Sequence, residues 1–156
     1  MVNREHVCLS LDLLDRFVSA VKAKFPKKAF GYFLAPMGSE CPSEFVVFDN
    51  DIRNDWKDTF EQYGSYYKIH EDAGFLATPE ETYKVEKYIR NNKLHKVGVF
   101  HSHKRHPAIF ASIDVTLHPD ESLWHLIISL RNLDFPQIKA FALDNSSVKE
   151  LKILSN

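Results

Sequence analysis

The chain has 156 residues, of which 44% are hydrophobic and 26% charged, a composition typical of one globular domain spanning residues 1–156. Twenty Lys and Arg against twenty-one Asp and Glu give a formal net charge of -1, so no global positive field favours nucleic acid or an anionic membrane. No apolar stretch reaches the roughly 18 residues of a membrane span, and we expect a cytoplasmic protein.

The two cysteines, Cys8 and Cys41, stand in no spacing that is typical of a metal site or a redox motif. An isolated pair of this kind is more often reduced than bridged. The sequence therefore predicts two thiols in a reducing compartment.

The first half of the chain predicts a helix followed by a hairpin. Apolar residues recur at helical spacing from Leu11 to Phe25, Ser10 fits the N-cap, and Pro26 ends the pattern. Two short buried strands are predicted in AFGYFLAPMG and EFVVFDND, with the turn MGSECPS between them. Residues 54–74 are aromatic and charged without a clear period, and their aromatic side chains are interpreted as core residues rather than a partner surface.

The second half predicts a capped helix and four strands. Thr78, Pro79 and Glu81 form a capping box with proline at the first helical position, and the helix should run to Asn91 or Asn92. The apolar strand HKVGVFHSH then leads directly into polar residues, and ESLWHLIISL, QIKAFALDN and SVKELKIL follow as three further strands. This order favours an α/β (α+β) fold with a mixed β-sheet and helices packed on it.

Two histidines at the end of the HSH strand form a candidate metal site. His101 and His103 are two residues apart, and alternate side chains of a strand share a face, so both imidazoles can converge on one ion. Asp114, separated from His103 by ten residues, is the candidate third ligand, near a predicted short helix in SIDVTLH. Three protein ligands with a fourth position for water are typical of catalytic zinc. An HxH pair alone is more often a surface or hydrogen-bonded pair.

The residues around the histidines narrow these alternatives. The run G-V-F-H-S-H, followed by ten residues and Asp on a strand preceded by a capped helix, resembles the JAMM (JAB/MPN) family of zinc metalloproteases. The element order is similar to that of the compact prokaryotic members, and the likeness covers nearly the whole chain. It implies an MPN/cytidine-deaminase-like core, Zn²⁺ held by His101, His103 and Asp114, and hydrolysis at the C-terminal tail of a ubiquitin-like or sulfur-carrier protein.

Two positions depart from the family's signature. The family's catalytic Glu lies in a stretch like P-x-E-x-x-G, and that position here is Lys28. The Ser that helps to hold the oxyanion falls on Ala111, with Ser112 one place later as the nearest substitute. A lysine ammonium has no lone pair to take a proton from water, and loss of an oxyanion donor slows acyl transfer further.

Three explanations for these departures stay open. The protein is a non-catalytic binding module that holds a carrier tail or a partner subunit; or it recruits another base, such as Glu61 or Glu71; or Lys28 is a substitution introduced to disable an enzyme. An unrelated zinc hydrolase built on the same three ligands is a weaker alternative. 

The residues directly after the HSH strand are basic. We interpret Lys104, Arg105 and His106 as a basic rim beside the cleft rather than as ligands, although a short charge run is often only a solvated face.

Overall fold

The computed structural model describes residues 5–48, 78–110, 122–144 and 147–155. The elements within these ranges, in chain order, are β1 (His6–Cys8), α1 (Leu11–Lys24), β2 (Phe30–Pro36), β3 (Glu44–Val47), α2 (Pro79–Asn91), β4 (Leu94–His103), β5 (Trp124–Ser129), β6 (Gln137–Asp144) and β7 (Ser147–Leu154). The two longer predicted helices and the predicted strands β2 to β7 are confirmed. The aromatic segment 54–74 and the predicted helix in SIDVTLH lie outside the described residues.

The strands form one mixed sheet in the order β1-β7-β6-β5-β4-β2-β3. β1 pairs with β7, and β4 with β5, in parallel, whereas the other neighbours are antiparallel. The mixed sheet confirms the predicted fold class. Strand β1 was not predicted because three residues are too few to show alternation. Neither described helix is long and apolar enough to cross a membrane.

Helix α1 packs on one face of the sheet and forms the centre of the main core. Its N-cap is Ser10, whose hydroxyl accepts a hydrogen bond from the Leu13 N–H at 3.1 Å, as the sequence predicted. The ring of Phe17 lies 5.0 Å from Phe33 and 4.9 Å from Phe100, centroid to centroid. The same core also includes residues of β1 and β3, the two edge strands of the sheet. These residues are Val7, Phe45 and Val47. The sheet therefore curls around α1.

Cys8 and Cys41 form a disulfide, with their Cα atoms 5.2 Å apart. The prediction of two free thiols is wrong. The cysteines therefore give no support for a reducing compartment. The residues are separated by 33 positions, and spacing alone gave no sign that they meet. They meet because the curled sheet brings the end of β1 next to the loop between β2 and β3. The disulfide therefore links the two opposite edges of the sheet.

Helix α2 packs on the opposite face of the sheet, against β2 and β4. The Thr78 hydroxyl accepts a hydrogen bond from the Glu81 N–H at 3.2 Å, which confirms the predicted cap. The Lys96 ammonium of β4 lies 2.9 Å from the Glu86 carboxylate and 4.8 Å from the centre of the Tyr32 ring. Burial raises the pKa of Tyr32, which therefore stays neutral beneath this ion pair.

Lys93, the second residue after the end of helix α2, lies in the left-handed backbone region with φ 54°. A residue with a Cβ is disfavoured there by about 1–2 kcal/mol, whereas glycine is not. We expect Lys93→Gly to raise the free energy of unfolding by about 0.5–1 kcal/mol, measured by urea denaturation. The control is Lys87→Gly on the exposed side of α2, which should lower that free energy by about 1 kcal/mol. A similar loss in both variants would contradict the explanation.

Candidate metal centre

The carboxyl end of β4 carries both histidines of the HSH motif. His101 and His103 are each only 3% exposed. The position of His101 is fixed from both sides, because it pairs with Phe30 of β2 and with Ile127 of β5. The side chain of Ser102 lies on the opposite face, where its hydroxyl accepts a hydrogen bond from the Ala29 N–H at 2.8 Å.

The two imidazoles face each other inside the protein. Their Nε2 atoms are 3.0 Å apart and their ring centroids 4.9 Å apart. Two nitrogens that bind the same tetrahedral zinc ion, each at about 2.0–2.1 Å, lie roughly 3.3 Å from one another. The observed distance between the two Nε2 atoms is close to this value. It also suits a hydrogen bond from the His101 ring to the His103 ring.

The orientation of His103 is set by the backbone. Its Nδ1 lies 2.8 Å from the carbonyl oxygen of Pro107. Since a carbonyl oxygen only accepts hydrogen bonds, Nδ1 carries the proton, and the neutral ring has its lone pair on the Nε2 that faces His101. A carbonyl partner of this kind commonly fixes the tautomer of a metal-binding histidine. The sequence did not indicate this role for Pro107, because a backbone carbonyl carries no residue signature.

Lys28 precedes β2 at the edge of the sheet where the histidines lie. The Ser102 N–H donates to the Ala29 carbonyl at 2.8 Å, which continues the pairing of β2 with β4 beyond Phe30 and His101. One further step of this register sets Lys28 opposite His103, and residues opposite one another in an antiparallel pair share a face. The lysine is half-buried. The position that carries the catalytic Glu in the JAMM signature is thus next to the two imidazoles.

The other predicted site residues fall outside the described part of the chain: Asp114, Ala111, Ser112, Glu61 and Glu71. Within the described ranges, no group of three or more His, Cys, Asp or Glu side chains could hold a metal ion. The described part of the candidate site therefore consists of the two histidines, the carbonyl that orients one of them, and Lys28.

The loop that follows β4 is held by hydrogen bonds to β5 and β6. The Ser129 hydroxyl donates to the His106 carbonyl at 2.5 Å, and the Ala108 N–H donates to the Gln137 side chain at 2.8 Å. The Leu130 N–H donates to the His103 carbonyl at 2.7 Å. Because β4 and β5 are parallel, the loops after both strands leave the same edge of the sheet, beside the histidines.

A family comparison gives the class of protein that carries this fold. The model of the family described as prokaryotic homologs of the JAB domain matches residues 10–144. The chain therefore belongs to this JAB/MPN family. No curated protein sequence matches the chain.

Solved structures share the whole fold. A protein from Desulfitobacterium hafniense, known from a solution structure, is 22% identical with a TM-score of 0.72 and coverage of 96% of this chain and 92% of that chain. A protein from Salinibacter ruber gives 18% identity, a TM-score of 0.66 and coverage of 96% and 92%. A JAB1/MPN domain protein from Archaeoglobus fulgidus is 14% identical, with a TM-score of 0.53 and coverage of 95% of this chain and 99% of that chain. At these identities the likeness shows the fold alone.

Proposed function

We propose that this protein is a zinc-dependent metallopeptidase or isopeptidase that acts on the C-terminal tail of a ubiquitin-like or sulfur-carrier protein, and that Lys28 and Ala111 make its hydrolysis slow. The observation that carries the proposal is the approach of two buried imidazoles, whose Nε2 atoms lie 3.0 Å apart. This spacing supports the proposal because it is close to that of two imidazole nitrogens that bind the same zinc ion.

The donor set fits zinc. Two neutral imidazoles from His101 and His103, with a carboxylate from Asp114, are a ligand set that zinc hydrolases use. The carbonyl of Pro107 holds the His103 ring in the tautomer that can bind metal. Zinc bound there would supply Lewis-acid chemistry, polarising a carbonyl and lowering the pKa of water.

The residues around the ligands limit the rate. A positioned general base contributes about 10²–10⁴-fold, and the ammonium of Lys28 cannot take a proton. A side-chain oxyanion donor contributes roughly 10²–10³-fold, and Ala111 has no polar group. Ser112 or a backbone N–H is left to hold the oxyanion. Neither substitution removes a proposed zinc ligand.

The second candidate function is a binding module that holds a carrier tail or a partner subunit without cleaving it. The observation that favours it is the position of Lys28, opposite His103 where the JAMM signature carries its Glu. In this case zinc would stabilise the fold instead of serving catalysis.

Zinc content tests the part that both functions share. We expect one zinc ion per chain after dialysis against metal-free buffer, measured by inductively coupled plasma mass spectrometry, and loss of that zinc in His101→Ala and in His103→Ala. The control is His6→Ala, at an exposed position of β1, which should keep its zinc. The absence of zinc from the wild-type protein would contradict the metal site, and so would a full equivalent of zinc in His101→Ala.

A further inference from the structure

Three polar residues form a row across the sheet at the edge where the histidines lie. His103 of β4 pairs with Ser129 of β5, and Ser129 pairs with Gln137 of β6. Residues paired across neighbouring strands share a face of the sheet, so the three side chains lie on the same face. Both Ser129 and Gln137 form hydrogen bonds with backbone groups of the loop after β4.

Gln137 binds the same peptide group that orients His103. The Pro107 carbonyl oxygen lies 2.8 Å from the His103 Nδ1, and the Ala108 N–H donates to the Gln137 side chain at 2.8 Å. This carbonyl and this N–H belong to one planar peptide group, in which they point in opposite directions. The His103 ring and the Gln137 amide therefore hold the two sides of one plane, and a rotation of that plane would break both hydrogen bonds.

The Gln137 atom that faces the loop is its amide oxygen. A backbone N–H only donates hydrogen bonds, so its partner has to be the acceptor Oε1. A hydrogen bond accepted from the N–H of a peptide polarises that peptide, which strengthens the bond that its carbonyl accepts. Gln137 thus favours a donor opposite the Pro107 carbonyl, and this donor is the Nδ1–H of His103.

The remaining hydrogen bonds near Pro107 act elsewhere. The Ser129 hydroxyl donates to the carbonyl of His106, one peptide group earlier. The Pro107 oxygen also accepts from the Ile109 N–H at 2.8 Å, but this bond lies within the loop and turns with it. The hydrogen bond from Ala108 to Gln137 is therefore the one that connects this peptide group to the sheet.

We infer that Gln137 is a positioning residue of the candidate metal site, which acts through the peptide between Pro107 and Ala108 to keep the proton of His103 on Nδ1 and its lone pair on Nε2. This inference rests on the proposed function and deepens it, because the Nε2 lone pair is what a zinc ion would bind. Gln137 acts on the site through His103 and is not itself a proposed ligand.

The test measures the tautomer of His103 in the zinc-free full chain, so that the result does not depend on bound metal. Long-range proton–nitrogen correlation NMR spectra at about pH 8, where a histidine of ordinary pKa is neutral, distinguish Nδ1–H from Nε2–H. We expect the wild type to carry Nδ1–H and Gln137→Met to give a mixture of both tautomers. The affinity for zinc, measured by competition with a chromophoric chelator, should fall about 10–100-fold in Gln137→Met.

Two variants are controls for this substitution. Gln137→Glu keeps an oxygen acceptor at the same position and should retain the wild-type tautomer and zinc affinity. Lys139→Met makes the same change to methionine two residues further along β6, on the same face, and should behave like the wild type. Gln137 is exposed at the end of its strand, so the fold should tolerate its replacement. Gln137→Ala removes the same amide and decides the question if the methionine variant does not fold.

Two outcomes would overturn the inference. An unchanged His103 tautomer in Gln137→Met would mean that the packing of Ala108 against Ile127 and Phe141 holds the loop by itself, and it would leave the zinc site standing. A shift in Lys139→Met or in Gln137→Glu as large as that in Gln137→Met would show a general effect of altering β6. If the wild type binds no zinc while the tautomer changes as expected, the proposed function fails and the action of Gln137 on His103 is supported.

Discussion

Lys28→Glu is expected to raise the rate of cleavage of carrier fusions by about 10²–10⁴-fold in the zinc-loaded protein. The register between β2 and β4 sets residue 28 opposite His103, on the face that carries both imidazoles. A carboxylate at this position can take the proton that water must lose, whereas an ammonium cannot. The measurement is kcat/KM for a carrier fused through its C-terminal tail to a fluorescent reporter.

The control for this variant is Lys27→Glu, one residue earlier at an exposed position, which makes the same change of charge. It should leave the cleavage rate unchanged. Adding Ala111→Ser to Lys28→Glu should increase the rate further if the missing oxyanion donor also limits catalysis.

Each alternative to a slow enzyme predicts a different result. Zinc-loaded Lys28→Glu without any gain in cleavage would favour the binding module. Fast cleavage by the wild type would show that another residue, such as Glu61 or Glu71, acts as the general base in place of the Glu of the JAMM signature. A gain in Lys27→Glu equal to that in Lys28→Glu would mean that charge near the cleft, not a positioned base, limits the rate.

Loss of the disulfide between Cys8 and Cys41 is expected to lower the free energy of unfolding by about 3–4 kcal/mol, because the bridge closes a loop between residues 33 positions apart. For a chain of this size the midpoint of thermal unfolding should fall by about 6–15 °C. The measurement is thermal unfolding by circular dichroism with and without a dithiol reductant.

The double variant Cys8→Ser with Cys41→Ser provides the control for the reductant. It should unfold at the temperature of the reduced wild type and should not respond to reductant. Two titratable thiols per native chain, or a midpoint that does not move on reduction, would contradict the bridge.

Local patterns in the sequence were sufficient to predict most elements of this fold. Ser10 and Thr78 mark both helix starts because capping depends on a hydroxyl and an N–H three residues away. The shared face of the two histidines follows from the two-residue period of a strand. The element order then predicted the fold class, and the family likeness added the expectation of an MPN-like core.

The features that the sequence did not predict depend on how distant parts of the chain meet. Strand β1 is recognisable only beside β7, with which it pairs in parallel. The disulfide exists because the sheet curls around α1, and no local pattern specifies that curvature. The orientation of His103 rests on a carbonyl four residues away, whose direction depends on the loop after β4 being held by Ser129 and Gln137.

The double hydrogen bond between Ala29 and Ser102 has a consequence for how activity changes over evolutionary time. The Ser102 backbone and hydroxyl hold Ala29 through groups that do not involve the side chain at position 28. A lineage can therefore exchange the residue at position 28 while the strand pairing beside the histidines persists. A change at position 28 therefore alters the chemistry beside the histidines without removing either of these two hydrogen bonds.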